Sequence, residues 1–455
     1  MTLSVTELIN RLSVLERRVE ELEKENRALR EENDRLKERL GLNSGNSSFP
    51  PSRDLYKRKL IKKSGLKPGG QPGHVGKWRE KLQADEEISI HPEEYCPCGG
   101  KIVLAAKPYT HQKVELPVIK PIVTNYYLHH GRCSCCKKRY KARLPEGVSN
   151  DLLGPRAKGA VSALTGFFKN SKREAQMILE EILGLKISLG TLSRTEERVS
   201  DQCETSYQQL EEKIQQSALL HIDETGHRLG KKRGWAWVFT NKSATLIKLT
   251  ESRGAKVLEK TLPNYEGRVI SDRYSCYSYF LEERRQVCWS HLVRDFERFA
   301  QSRDADLNFI GRHMVSIAEE MFGLHRSLLQ KNIELIFFLR RCRILRRRLR
   351  YWLKRTHRLP GLEQAKRVSK NILKCEPMMW KFLEDPLEIP PTNNLAERQI
   401  RKYVVYRKTS YFAWAERGER YIERMLSLFL TYQRDNPCQK LLQLLMPATA
   451  SVPLC

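Results

Sequence analysis

The chain has 455 residues, enough for two to four domains, and 40% of them are hydrophobic, so folded cores are within its reach. Its formal net charge is +28, from 82 lysines and arginines against 54 acids. A chain this basic repels itself without a polyanion, which points to nucleic acid first and an anionic membrane surface second. No apolar run reaches the ~20 residues of a membrane-spanning helix, and the first residues do not read as a signal peptide, so a cytoplasmic protein is expected, with no membrane partner.

Leu8, Leu15, Leu22, Leu29 and Leu36 recur every seven residues, with Leu12, Val19, Asn26, Asn33 and Leu40 between them. This is a heptad with leucine at d and two asparagines at a. A buried asparagine at a lowers stability but fixes register and favours two parallel strands. The facing charges Arg11–Glu16, Arg18–Glu23, Glu25–Arg30 and Glu32–Lys37 would all attract in such a dimer. Residues 1–42 are therefore expected to form a parallel homodimeric coiled coil; the alternative is a lone amphipathic helix packed on its own protein. Residues 1–40 hold 9 basic and 10 acidic side chains, so the positive excess lies downstream. From "LNSGNSSFPPSRD" to "KPGGQPGHVG", residues 43–85 read as a basic linker rich in Gly and Pro.

Five of the twelve cysteines crowd into Cys96, Cys98, Cys133, Cys135 and Cys136. In a reducing compartment such a cluster suggests metal rather than disulfides. Residues 86–148 are expected to form a zinc-ribbon-like DNA-binding module with Cys96, Cys98, Cys133 and Cys136 on Zn²⁺. Only Pro97 separates the first pair, so Cys135 stands as a substitute ligand. Lys137, Lys138, Arg139 and Lys141 suit phosphate contact, or a solvated face.

Residues 149–215 have helical periodicity broken by "GLKISLGTLSR". A helix is expected to end near Gly184 and another to start after Ser188, with Thr191, Ser193 and Arg194 near its start. That is helix-turn-helix grammar, which plain helical hairpins share.

Three carboxylates follow. "ALLHIDETG" is an apolar run ending in acid, and with "GWAWVFT" and "ATLIKLT" it predicts an antiparallel meander whose first strand carries Asp223. "GRVISDRYSCY" predicts a strand with Asp272 at its C-terminal end, and "RRQVCWSHLVRDF" a strand running into a helix. "NNLAERQIRK" is helical and carries Glu397. An ordered strand Asp, strand-end Asp and helix Glu suit two-metal phosphoryl transfer, with Mg²⁺ or Mn²⁺ about 4 Å apart on hard oxygen ligands. Taken singly, each acid could be a turn or cap residue, and Glu397 with Arg401 could be an i,i+4 ion pair of a few tenths of a kcal/mol.

The ordered set "GGQPGH", the cysteine ribbon, Gly184–Thr191, "DET…GWAWVF", "SRG…VISD", "CWSH" and "NNLAER…RK" resembles the insertion sequence 66 family of bacterial transposases, of the DDE class. The resemblance implies a ribonuclease-H-like catalytic core, with Asp223, Asp272 and Glu397 as its metal-binding triad. It also matches Cys288 and His291 to a Cys-x2-His signature that supports the active site without being catalytic. Double-stranded DNA is the implied partner, and accessory proteins of the same element are a further one.

Asp272 and Glu397 are 125 residues apart, far more than a bare core of that kind needs. An all-α insertion over residues 301–389 is expected there, with the core at 216–300 and 390–435 and a tail at 436–455. At its centre, Phe338, Cys342, Leu345, Leu349 and Trp352 share one helical face. Ten Lys and Arg and no acid lie between Leu335 and Arg358. Arg340, Arg341, Arg343, Arg346, Arg347, Arg348 and Arg350 therefore predict a DNA-backbone track, as do Arg398, Arg401, Lys402, Arg407 and Lys408 around Glu397. The expected whole is a multidomain α/β enzyme that cleaves and transfers DNA strands. The rivals are a non-catalytic regulator built from a coiled coil, a zinc ribbon and a basic helix, a structure-specific nuclease on the same fold, and a decayed, inactive transposase copy.

Overall fold

A computed structural model describes residues 13–26, 29, 32, 69, 73–76, 80–411 and 413–435. The outer parts of the expected coiled coil, most of the linker, and the tail at 436–455 lie outside the described residues. The chain divides into two compact units, one of Met1–Leu55 with Val123–Cys455 and the other of Tyr56–Ile122.

Among the described residues of the smaller unit there is no helix or multi-residue strand. Gln112 binds both backbone groups of Leu82, at 3.1 and 2.7 Å, and a bridge joins Tyr95 to Lys101 around the Cys96–Cys98 turn.

In the larger unit, residues 13–26 are helical, and a short hairpin pairs β1 (His130–Arg132) with β2 (Arg139–Lys141). Four helices follow: α1 (Pro155–Ser162), α2 (Lys172–Glu181), α3 (Leu189–Gln202) and α4 (Glu204–Gln215). Their starts are written in the sequence. Ser171 and Glu174 cap α2 reciprocally, and the Ser188 side chain accepts the Thr191 N–H to start α3. Between α2 and α3, Gly184 takes a positive φ of 63°.

The centre is a five-stranded sheet in the order β5-β4-β3-β6-β7. The strands are β3 (Leu219–Leu229), β4 (Lys232–Thr240), β5 (Thr245–Thr250), β6 (Arg268–Ser271) and β7 (Arg285–Val287). β3, β4 and β5 form an antiparallel meander, turned at Gly230 with φ 53°, and β6 and β7 add in parallel beyond β3. Alternation sends Trp237 and Phe239 of β4 to one face, and Ala236 and Val238 to the other. The first face packs on α4 and on α5 (Ala255–Thr261). The second packs on α11 (Asn394–Thr409) and α12 (Glu416–Asp435).

From β7 the chain enters α6 (Trp289–Ala300), then α7 (Ala305–Leu329), α8 (Leu335–His357), α9 (Glu363–Lys374) and the short α10 (Glu376–Met379). The stretch between α6 and α11 is helical, and it has no core of its own. Ile270 of β6, Val287 of β7 and Trp289 and Phe296 of α6 join Met314, Phe338, Leu345 and Trp380 in one apolar cluster. Phe338, Cys342, Leu345 and Leu349 are buried along α8 as their spacing predicts, Leu353 continues the stripe, and Trp352 is half-buried at its margin.

Candidate active site

β3 and β6 run parallel through the pairs Leu219–Arg268, Leu220–Val269 and His221–Ile270. Asp223 stands two residues beyond the last pair on β3, and Asp272 two beyond it on β6. Residues at equal steps on adjacent parallel strands face the same way, so the two carboxylates emerge side by side where β6 stops. Asp223 Oδ1 accepts the Glu224 N–H at 3.0 Å, and Asp272 Oδ1 accepts the Tyr274 N–H at 2.8 Å.

Glu397 lies in the first turn of α11, and Asn393 sets where that turn begins. Asn393 is 1% exposed and precedes the helix. Its Nδ2 donates to the Ile222 carbonyl at 2.7 Å, its Oδ1 meets His221 Nδ1 at 3.1 Å, and its backbone N–H donates to Cys288 Sγ at 3.2 Å. Because Nδ2 is the donor group, Oδ1 must accept, which assigns the proton to His221 Nδ1. One residue thereby joins β3, the start of α6 and the Glu397 helix. Nothing in the spacing of Asn393 announces these partners, and neither His221 nor Asn393 stands out in the sequence as a site residue.

The acids act on one another. Burial pushes the Asp223 carboxyl well above the usual carboxylate range; the charges of Glu224, Asp272 and Glu397 push the same way, and the Glu224 N–H works against them. Burial also raises Glu224, with Asp272 adding to it, while Tyr277 and Arg253 counter. Arg253 Nε and Nη2 both donate to Glu224 Oε1, at 2.8 and 2.6 Å, and the Tyr277 hydroxyl donates to Oε2. The same guanidinium lies 3.7 Å from the ring centre of Tyr274 and 4.7 Å from that of Trp235. Arg253 thus braces the residues next to both aspartates. The "SRG" segment was visible in the sequence, but its partner was not.

With Arg253 committed to Glu224, no Lys or Arg forms an ion pair with Asp223, Asp272 or Glu397 among the described residues. The i,i+4 pair with Arg401, the alternative reading of Glu397, is not among the ion pairs of the described residues. Glu397 Oε1 instead faces His291 Nδ1 at 3.9 Å, and both atoms are buried without a hydrogen-bond partner. Cys288, the residue before α6, completes the group: the ligand atoms of Cys288, His291 and Glu397 lie within 4.8 Å of one another.

The basic residues divide. Arg398, Arg401 and Lys408 are exposed on α11, and Lys402 is half-exposed. Arg407 turns inward and donates to the Gly226 carbonyl and, at 3.0 Å, to Thr225 Oγ1, anchoring α11 to β3. On α8, Arg341 and Arg348 both pair with Glu320 of α7, and Arg346 makes a two-pronged pair with Glu376 at 2.6 and 2.8 Å. Arg340, Arg343, Arg347 and Arg350 remain exposed. The ten cations are thus partly compensated by neighbouring helices, whose acids the sequence of α8 alone cannot contain.

The cysteine pairs fall one in each unit. Backbone N–H groups of Cys136 and Cys135, then the Cys136 thiol, lower the Cys133 thiol. The Gly100 N–H, then the Cys96 thiol, lower that of Cys98. Gly99 and Lys137 take positive φ values of 87° and 60° in these two turns.

A model of the transposase IS66 family matches residues 170–421. Comparison with curated proteins gives no match. The matched segment holds β3, β6, α6 and α11 with Asp223, Asp272, Cys288, His291 and Glu397, and since it spans more than half of the 455 residues, the chain belongs to the IS66 family of transposases.

Proposed function

We propose that this transposase cleaves DNA strands at the ends of its element and joins them to a target by divalent-metal-dependent phosphoryl transfer. The observation that carries this reading is that Asp223 and Asp272 stand at equal steps beyond the last paired residues of β3 and β6, that the charge of Glu397 from α11 reaches Asp223, and that no Lys or Arg forms an ion pair with any of the three among the described residues. Three carboxyl groups supply hard-oxygen donors that fit Mg²⁺ or Mn²⁺, and a bound cation would favour the ionised form of Asp223. When bound, two such ions supply activation of an attacking water or 3′-hydroxyl and charge relief at the leaving oxygen. The sheet order β5-β4-β3-β6-β7, a meander followed by two parallel strands, supports a ribonuclease-H-like core.

Around these acids the chain supplies position and charge. Asn393 holds the Glu397 helix to the strand of Asp223, and Arg253 braces Glu224 and Tyr274. Exposed Arg398, Arg401 and Lys408 suit the phosphates of DNA entering the site, and Arg340, Arg343, Arg347 and Arg350 suit a longer backbone track. Backbone N–H groups favour the thiolates of Cys98 and of Cys133, which suits the cysteine turn of each unit, taken by itself, to metal binding. Leu15, Val19, Leu22 and Leu29 are 63%, 53%, 44% and 58% exposed, which supports a partner helix along the N-terminal heptads. No helix of the described residues is long and apolar enough to cross a membrane.

Asp223→Asn, Asp272→Asn and Glu397→Gln test the reading on DNA carrying the element's ends. Each is expected to abolish metal-dependent cleavage while DNA binding persists, and near-wild-type cleavage by any of them would overturn the triad. Joining of pre-cut 3′-hydroxyl ends then separates a transposase from a nuclease on the same scaffold.

A further inference from the structure

Glu397 also belongs to a second set of donors, with Cys288 and His291, and it is chemically unlike the first. Cys288 Sγ is fully buried, which raises its thiol above the ordinary value; it accepts the Asn393 N–H at 3.2 Å, and the N–H groups of His291 and Ser290 also favour the thiolate. Sulfur ringed by amides is the setting of a metal-bound thiolate. His291 Nδ1 and Glu397 Oε1 are buried, have no hydrogen-bond partner, and face each other across 3.9 Å. That gap is too long for a hydrogen bond, and leaving two such atoms buried and unsatisfied is unfavourable. It does suit the edge of a metal polyhedron. Tetrahedral zinc, with Zn–N and Zn–O near ~2.0–2.2 Å and Zn–S near ~2.3 Å, separates its ligands by roughly 3.3–3.7 Å. The three ligand atoms lie within 4.8 Å of one another, so modest rotamer shifts close the site.

We propose that Cys288, His291 and Glu397 bind a transition-metal ion of the zinc class, which holds one oxygen of Glu397. The sulfur–nitrogen–oxygen set is too soft for Mg²⁺ and suits Zn²⁺. On binding, the Cys288 S–H bond breaks, its proton goes to solvent, and an S–Zn bond forms. Thiolate and carboxylate together balance the ion's two positive charges, and a fourth position stays open to water. The other Glu397 oxygen remains for the side of Asp223 and Asp272, so this ion would fix the direction in which the carboxylate points. The binding claim rests on the geometry alone; its bearing on cleavage rests on Glu397 being a triad member.

Full-length protein purified with zinc, and separately loaded with cobalt(II), tests the site without DNA or Mg²⁺. Cys288→Ser is expected to lower bound metal by one equivalent per chain and to remove part of the thiolate-to-cobalt charge-transfer band. The cysteine cluster contributes equally to both proteins, so the difference isolates this site. His291→Ala, which keeps the buried sulfur and guards against misfolding of Cys288→Ser, is expected to lose the same equivalent with an unchanged circular dichroism spectrum. Metal content and band unchanged in both variants would overturn the proposal. If one equivalent depends on Cys288 and His291 but the wild type cleaves no element end, the site stands and the proposed function falls. If cleavage needs Asp223 and Asp272 but no metal depends on Cys288 or His291, the reverse holds.

Discussion

Asn393 Nδ2 donates to the backbone carbonyl of Ile222 at 2.7 Å, one residue before Asp223 and from one helical turn before Glu397. The distance between two of the three acids is therefore set by a side chain that need not touch metal or DNA. Asn393→Ala is expected to lower metal-dependent cleavage by about 10–100-fold, the usual cost of losing a group that orients metal ligands. It should also destabilise the protein by about 1–3 kcal/mol, because the Ile222 carbonyl and His221 Nδ1 lose their partner. Cleavage assays and thermal denaturation on the same samples check this, and wild-type activity in a folded Asn393→Ala would refute it.

Asp223 is a source of instability in the folded protein. Its carboxyl is held well above the usual range by burial and by three neighbouring acids. The folded state thus keeps a proton that the unfolded chain has released, and stability falls as pH rises above the ordinary carboxylate value of 3.8. At pH ~7 Asp223→Asn removes this conflict and should stabilise metal-free protein by about 1 kcal/mol or more. Mg²⁺ should raise the melting temperature of the wild type and leave that of the variant nearly unchanged. A variant that melts below the wild type in chelator would contradict the account.

His221 acts in the opposite sense. Burial pushes its imidazole down to about 4, with the charges of Arg434 and Arg398 helping and the Asn393 bond opposing. Between that value and the ordinary 6.5, the unfolded chain binds a proton that the folded state refuses. Stability is therefore lost as pH falls through this window. His221→Gln should flatten the slope there, read as the difference between the two pH–stability curves; identical slopes would rule the effect out.

Much of this architecture was legible because it is local. The Ser188 cap, the meander from "DET" to "ATLIKLT", and Asp272 just past its strand each follow from a few adjacent residues. So does Glu397 one turn into its helix. The contacts that tune the site are long-range. Asn393 meets His221 across 172 residues, and Arg253 meets Glu224 across 29. Periodicity does not register such pairs. The same limit explains Arg407, which reads as one more phosphate contact beside Lys408 and instead faces the β3 backbone.

On α8 the two kinds of arginine should separate by experiment. Arg340, Arg343, Arg347 and Arg350 are exposed. Changing any of them to Gln should weaken DNA binding at similar cost across sequences, reduce the salt slope by about one, and leave the melting temperature alone. Arg346→Gln leaves the buried Glu376 without its two-pronged partner and should cost about 1–3 kcal/mol of stability. If Arg346→Gln changes only the salt slope, the α8–α10 contact has no structural role.

Gly311 lets α7 lie against the end of α6. A β-carbon there would collide with the Ala300 nitrogen and the Phe299 carbonyl carbon, which are backbone atoms that no rotamer change can move aside. Both helices belong to the apolar cluster that continues into β6 and β7, so the collision must be absorbed by shifting one helix against that cluster. Gly311→Ala should therefore cost about 1–3 kcal/mol despite alanine's better helix propensity. Gly323→Ala on the same helix is the control. A β-carbon at Gly323 meets nothing within 4 Å, so the propensity gain of up to about 1 kcal/mol should appear there as a rise in melting temperature. Because α6 also begins beside Cys288 and carries His291, Gly311→Ala should lower cleavage more than its loss of folded protein accounts for. Equal melting temperatures for the two alanine variants would show that α7 does not depend on the close approach.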